Sequence, residues 1–168
     1  MGSCRMAEYQ LWKARPTLPL AQAEAIIDGA LETARGHDME PMSVAVLDTG
    51  GHLIALKRED GSGILRAQIA MGKAWGALGM GASSRLLRDR LSARQGFIAA
   101  LTDASEGRFV PVPGGVLVLD DEQYTLGAVG ISGDTSERDE FCAIHGIWAA
   151  GLGSQPDEPD PDWQASRL

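Results

Sequence analysis

Eight positions in this chain combine residue types and settings that could do chemistry: His52, Arg58, Lys73, Gly114, Gly115, Ser132, Gly133 and His145. His52 sits in "VAVLDTGGHLIALKRED" at 44–60, at the mouth of a run that carries Lys57 and Arg58. An imidazole there is either a turn-adjacent ring paired with Asp48 or a backbone carbonyl, or a ligand and proton carrier. His145 flanks the apolar positions Ile144 and Trp148 and reads as a satisfied boundary residue or a ligand. His37, just past a helix end, is placed to bond the last carbonyls. The three histidines lack the HxH or HExxH spacing of a zinc site. Lys73, in "IAMGKAWGA", is a solvated or snorkelling lysine on a helix's polar edge, or a proton carrier.

Two glycine-rich loops complete the set. "GISGD" at 130–134 lacks the GxSxG register of a nucleophile elbow, but it runs into a helix start whose free amides could cradle a carboxylate. "VPGGV" at 112–116 allows close backbone approach, and tight-turn geometry alone accounts equally well for both loops. Glu137, Arg138, Asp139 and Glu140 form a charged run in a first helical turn, where the helix dipole favours acidic groups without any catalytic purpose.

Elements must hold these residues in place. Residues 19–36 put Leu20, Ala23, Ile27, Ala30, Leu31 and Ala34 at helical spacing, closed by Gly36. Residues 42–47 and 52–57 form a hairpin around an Asp-Thr-Gly-Gly turn, and its first strand is apolar on both faces, so layers are expected on both sides. A second helix follows, with Ile64, Gln68, Met71, Trp75 and Leu78 as its stripe and Arg66 and Lys73 off it; Gly72 and Gly76 invite a neighbouring backbone. Shorter helices are expected at 83–91, capped by Ser83 or Ser84, and at 93–104, capped by Ser92. Residues 109–112 suggest a short edge piece. A second hairpin joins 116–119 to 125–131, and a last helix carries Phe141, Ile144, Trp148 and Leu152 after a cap at Asp134, Thr135 or Ser136.

The order is helix, hairpin, helices, hairpin, helix. It predicts an α+β domain with one antiparallel sheet flanked by helices, since a doubly wound fold needs singly alternating strands and helices. The expected division is a poorly ordered leader at 1–17, a domain at 18–152 and an acidic, proline-rich, disordered tail at 153–168. With 168 residues and 44% apolar content, one compact domain is the natural size. A net charge of −8 argues against a nucleic-acid partner. No window is apolar and long enough for a membrane span or signal peptide. Cys4 and Cys142 form no disulfide framework, so the expected setting is cytoplasmic with both thiols reduced.

Taken in order, three segments resemble the GlcG/HbpS family of small heme-binding and heme-degrading-domain proteins, which includes the C-terminal domain of PduO-type adenosyltransferases. They are "SVAVLDTGGHLIALKREDG" at 43–61, "IAMGKAWGALGMG" at 69–81 and "GGVLVLDDEQYTLGAVGISGDTSERDEFCA" at 114–143, joined by the alanine-rich first helix. Asp48, Gly50, Gly51, Lys73, Gly114, Gly115, Gly127, Gly130, Ser132 and Gly133 stand where the family pattern puts them. Leu117 replaces a proline, and Trp75 and Gly76 replace Arg and Thr, at positions that shape the pocket. No histidine in the first helix matches.

The resemblance implies a profilin-like arrangement and assembly into homo-dimers or larger rings. It also implies a small-molecule ligand, with a tetrapyrrole, heme or corrinoid, the most specific candidate. Iron would then fall to His52 or His145, and propionates to Arg58, Lys73 or the glycine-loop amides. Two other classes remain open. A catabolic isomerase, tautomerase or lyase for a small organic acid would use Lys73 or His52 for protons and the amides near Ser132 for the carboxylate. A scaffold protein would use the glycines and apolar strands for subunit packing alone.

Overall fold

The structure, a computed structural model, describes residues 12–167; Cys4 and residues 1–11 of the expected leader lie outside it. Helix α1 (Leu20–Gly36) leads into the hairpin β1 (Ser43–Asp48) and β2 (Leu53–Arg58). Three helices follow, α2 (Arg66–Met80), α3 (Ser84–Leu91) and α4 (Gln95–Ala104). The second hairpin, β3 (Gly115–Leu119) and β4 (Thr125–Ser132), precedes α5 (Ser136–Ala149) and a short β5 (Gly153–Gln155). Five strands form one antiparallel sheet in the order β2-β1-β4-β3-β5, an α+β fold.

Alternation along the strands divides the core into two layers. Val44, Val46, Val116, Val118, Val129 and Ile131 point to one face, where α1 and α5 pack with Ile26, Ile27, Ile144 and Ile147. Leu47, Leu117 and Ala128 point to the other, under Ala74 and Ala77 of α2. Both faces of β1 are covered, as its unbroken apolar sequence requires.

The packing of α2 departs from the sequence pattern. Its expected inward stripe of Met71, Trp75 and Leu78 is only half-buried, and Ile64 lies before the helix with 83% of its surface exposed. The buried face is instead Ala70, Lys73, Ala74 and Ala77 with Gly72 and Gly76. The cause is distance: α2 lies so close to β3 and β4 that a Cβ on Gly130 would collide with the Ala70 carbonyl, and one on Gly115 with that of Lys73. Only small side chains fit between helix and sheet.

Other boundaries differ for local reasons. Ser83 caps α3 by accepting from the Leu86 N–H, but Ser92 ends α3, its hydroxyl donating to the Asp89 carbonyl, and α4 starts three residues later. Residues 109–112 form no strand; Phe109 is buried with Leu87 and Leu91, and Val110 lies on Gly72. Thr135 caps α5 through the Arg138 N–H.

The expected disordered tail is tied down at several points. β5 adds to the β3 edge, Trp163 stacks on Phe141 at 3.8 Å between centroids, and Arg85 donates to the Glu158 carbonyl at 2.7 Å. Those contacts supply the burial and pairing that its acidic, proline-rich composition hides. Among the described residues no helix is long and apolar enough to cross a membrane.

Candidate functional site

The outward face of α2 builds one wall of a groove of about 420 Å³. Gln68, Met71 and Trp75 line it from the helix and Leu65 from its N-cap, Leu47, Gly51 and Leu53 from the first hairpin, and Glu106, Arg108 and Val110 from the segment after α4. Most of the lining is apolar, and the volume lies within the roughly 300–1,000 Å³ of small-molecule sites. The groove opens to solvent at Leu53 and Leu65, which are 52% and 64% exposed.

Two glycines set its walls. Gly51 has φ +79°, and a Cβ there would stand 2.8 Å from the Trp75 ring, so the turn presses its bare backbone against the indole. Gly72 takes Val110, whose methyl would meet an added Cβ at 2.6 Å, and this fixes the far wall to the helix. Arg108 lies over the Trp75 ring at 4.4 Å, and its Nε donates to the Ser105 carbonyl at 3.1 Å.

Five of the eight sequence candidates converge beneath α2 rather than in this groove. Lys73 Nζ donates to Asp139 Oδ2 at 2.8 Å, with 2% and 1% of the two side chains exposed. The expectation of a solvated lysine is therefore corrected: the small residues around it bring α2 onto the sheet and carry Lys73 inside. Asp139 Oδ1 accepts from the Gly133 and Asp134 amides at 3.1 and 3.0 Å. Gly114, at φ +113°, leaves room for the ammonium, since a Cβ would sit 2.9 Å from Nζ. Gly115 exchanges bonds with the Ser84 hydroxyl, and Ser132 Oγ accepts from Arg66 at 3.2 Å. The glycine loop at 130–134 thus does hold a carboxylate, and it is the protein's own.

Burial pushes the Asp139 carboxyl up to about 6, against the pull of the Lys73 ammonium. Its neighbour Glu140 has a different fate. Burial raises it to about 7, opposed by Arg85, whose Nε lies 3.3 Å from Oε1. Neither Glu140 oxygen has a hydrogen-bond partner among the described residues. Both acids belong to the charged run at 137–140, in the first turns of α5, where the helix dipole favours acidic groups.

The remaining candidates are separate. His52 lies between the groove residues Gly51 and Leu53, its side chain 81% exposed and its Nδ1 3.2 Å from Asp48 Oδ1. The His52 and Gly50 amides also donate to Asp48 Oδ1, and the His52 amide chiefly holds the Asp48 carboxyl below its usual value. Arg58 donates to the Ser62 carbonyl at the far end of β2. His145 bonds the Phe141 carbonyl at 2.8 Å and packs between Phe141 and Trp148 on α5, across the sheet from α2. His37 bonds the Thr33 carbonyl, as its place past α1 predicts. No group of three or more His, Cys, Asp or Glu among the described residues is arranged to hold a metal ion.

Sequence reasoning placed Trp75 at a pocket-shaping position but missed Arg108 as a site residue. Gly72 and Gly76 were the available signal, because a helix that accepts a backbone at two glycines brings that segment beside its large residues.

No curated protein matches the chain. Solved structures do. The PduOC:heme complex superposes with a TM-score of 0.73 at 25% identity, over 82% of this chain and 98% of that one. HbpS gives 0.68 at 25% identity, over 85% and 97%. The Klebsiella pneumoniae protein ORFY, of family DUF336, gives 0.73 at 23% identity, over 86% and 98%, and so shares the fold. The family model described as haem degrading protein HbpS-like matches residues 18–148, and the chain belongs to that HbpS-like family.

Proposed function

We propose that the protein binds a tetrapyrrole, heme in preference to a corrinoid, in the groove between α2, the first hairpin and residues 106–110. The observation that carries this is the groove itself: a largely apolar slot of about 420 Å³ with an indole in its wall, open to solvent at Leu53 and Leu65. A flat macrocycle can enter such a slot by one edge and keep its charged edge in water. The heme held by PduOC, which shares the fold over nearly its whole length, supports the choice of ligand class.

The residues present fit the group. Met71, Leu53 and Trp75 offer apolar contact to the ring faces. His52 lies between the groove residues Gly51 and Leu53, held by an exposed contact to Asp48, and is the imidazole adjacent in sequence to the groove wall. Bound heme would bring an iron centre able to take up and activate small oxidants. The chain's own part would be to exclude water from the ring faces and to offer His52 as an iron ligand.

Titration with hemin tests this by absorbance, beside an unrelated acidic protein of similar size. The expected result is a saturable Soret shift near one heme per chain or per dimer, altered in His52→Ala and unchanged in His145→Ala. A response no larger than the control's overturns the proposal. An unchanged spectrum in His52→Ala removes that residue as the ligand.

A further inference from the structure

We infer that Arg108 is the groove's carboxylate anchor, so that the site selects flat apolar acids over their neutral analogues; the inference rests on the groove proposed above as the ligand site. Among the described residues that line the groove, Arg108 is the one cation and Glu106 the one anion. The whole chain carries −8, which repels an anionic ligand at long range, so capture needs a local positive charge.

Arg108 is prepared for that task. Its guanidinium is laid on the Trp75 face, with Cζ 4.4 Å from the ring centroid, and Nε is committed to the Ser105 carbonyl. Those two contacts fix the plane of the fork and leave the terminal nitrogens for a partner. Glu106 offers little competition: its carboxylate is 4.0 Å from Nη2, beyond hydrogen-bonding distance, and its side chain is 85% exposed.

The base beneath the arginine is firm even though the segment is irregular. Phe109 is buried against Gly76, and Val110 is seated on Gly72. A ligand in the groove therefore meets an oriented donor pair stacked on Trp75, the arrangement that suits a bidentate carboxylate.

Porphyrin fluorescence tests the anchor without iron chemistry. Protoporphyrin IX and its dimethyl ester are titrated into the wild type, Arg108→Gln and Arg108→Lys, and thermal unfolding is recorded for each protein. The acid should lose about tenfold in affinity in Arg108→Gln, the ester less than about twofold, and Arg108→Lys should recover part of the loss. Equal losses for acid and ester, or no loss for the acid, overturn the anchor. The same comparison is made with pyrenebutyrate and its methyl ester. If neither porphyrin saturates the wild type while pyrenebutyrate keeps an Arg108-dependent preference over its ester, the tetrapyrrole proposal fails and the anchor stands. No acid preference in either pair overturns the anchor.

Discussion

The two sides of α2 do opposite work. Its inner side is Ala70, Ala74 and Ala77, so thin that the helix backbone rests on the sheet and Lys73 is sealed against Asp139. Its outer side carries Met71 and Trp75, which stay half-buried and line an open groove. A lysine in a glycine-rich neighbourhood looks like a catalytic group, yet here it ties α2 to the start of α5. Large apolar residues on the same helix look like core, yet they face the space where a ligand can lie. The difference teaches that residue size, more than polarity, decided which side of this helix met the sheet.

The largest effect that separates the two sides is expected at Lys73. Lys73→Met leaves Asp139 buried without its cation and should cost about 3–5 kcal/mol of stability. Adding Asp139→Asn should restore part of it, because the uncompensated charge goes while Oδ1 still accepts from the Gly133 and Asp134 amides. Urea unfolding measures both variants, and a loss below about 1 kcal/mol in Lys73→Met would make the pair dispensable.

A second effect sharpens the contrast between Asp139, which has three donors among the described residues, and Glu140, which has none among them. A carboxyl raised from the usual 4.5 to about 7 by burial binds its proton more tightly in the folded state. Its stabilising contribution is therefore complete below about pH 4.5 and is lost as pH rises through 7. The shift corresponds to on the order of 3 kcal/mol. Glu140→Gln should flatten the fall in stability between pH 5 and 8, measured as urea midpoints; an unchanged slope assigns that fall to other groups, with Asp139 the first to test.

The smallest of these effects on stability belongs to the outer side. Trp75→Ala should weaken hemin binding by about tenfold through lost ring contact, while moving the urea midpoint less than Lys73→Met does. A larger loss of stability than of affinity would place Trp75 with the core.

Much of the fold was legible because it rests on alternation and turn chemistry. Val44, Val46, Val116, Val118, Val129 and Ile131 mark one face of the sheet, and Asp48 with Gly50 and Gly51 closes the first hairpin as read. The orientation of α2 was not legible from its hydrophobic stripe. It depended on Gly115 and Gly130 in strands far along the chain, whose missing side chains allow close approach. The fates of Asp139 and Glu140 were hidden for a related reason. Their partners, Lys73 and Arg85, come from helices more than fifty residues earlier, and no local pattern couples them. Likewise Arg108 joins the groove only because Phe109 and Val110 find the glycines of α2.

The account's central claim is that the groove on the outer side of α2 holds the ligand. The most direct measurement is a side-by-side hemin titration of the wild type and Met71→Trp, in which a bulky ring fills the slot from a half-buried position without touching the Lys73–Asp139 pair. The account predicts a saturable Soret shift in the wild type and its loss in a Met71→Trp protein that still unfolds cooperatively near the wild-type midpoint. Equal saturation of both proteins would contradict it and send the ligand to another surface.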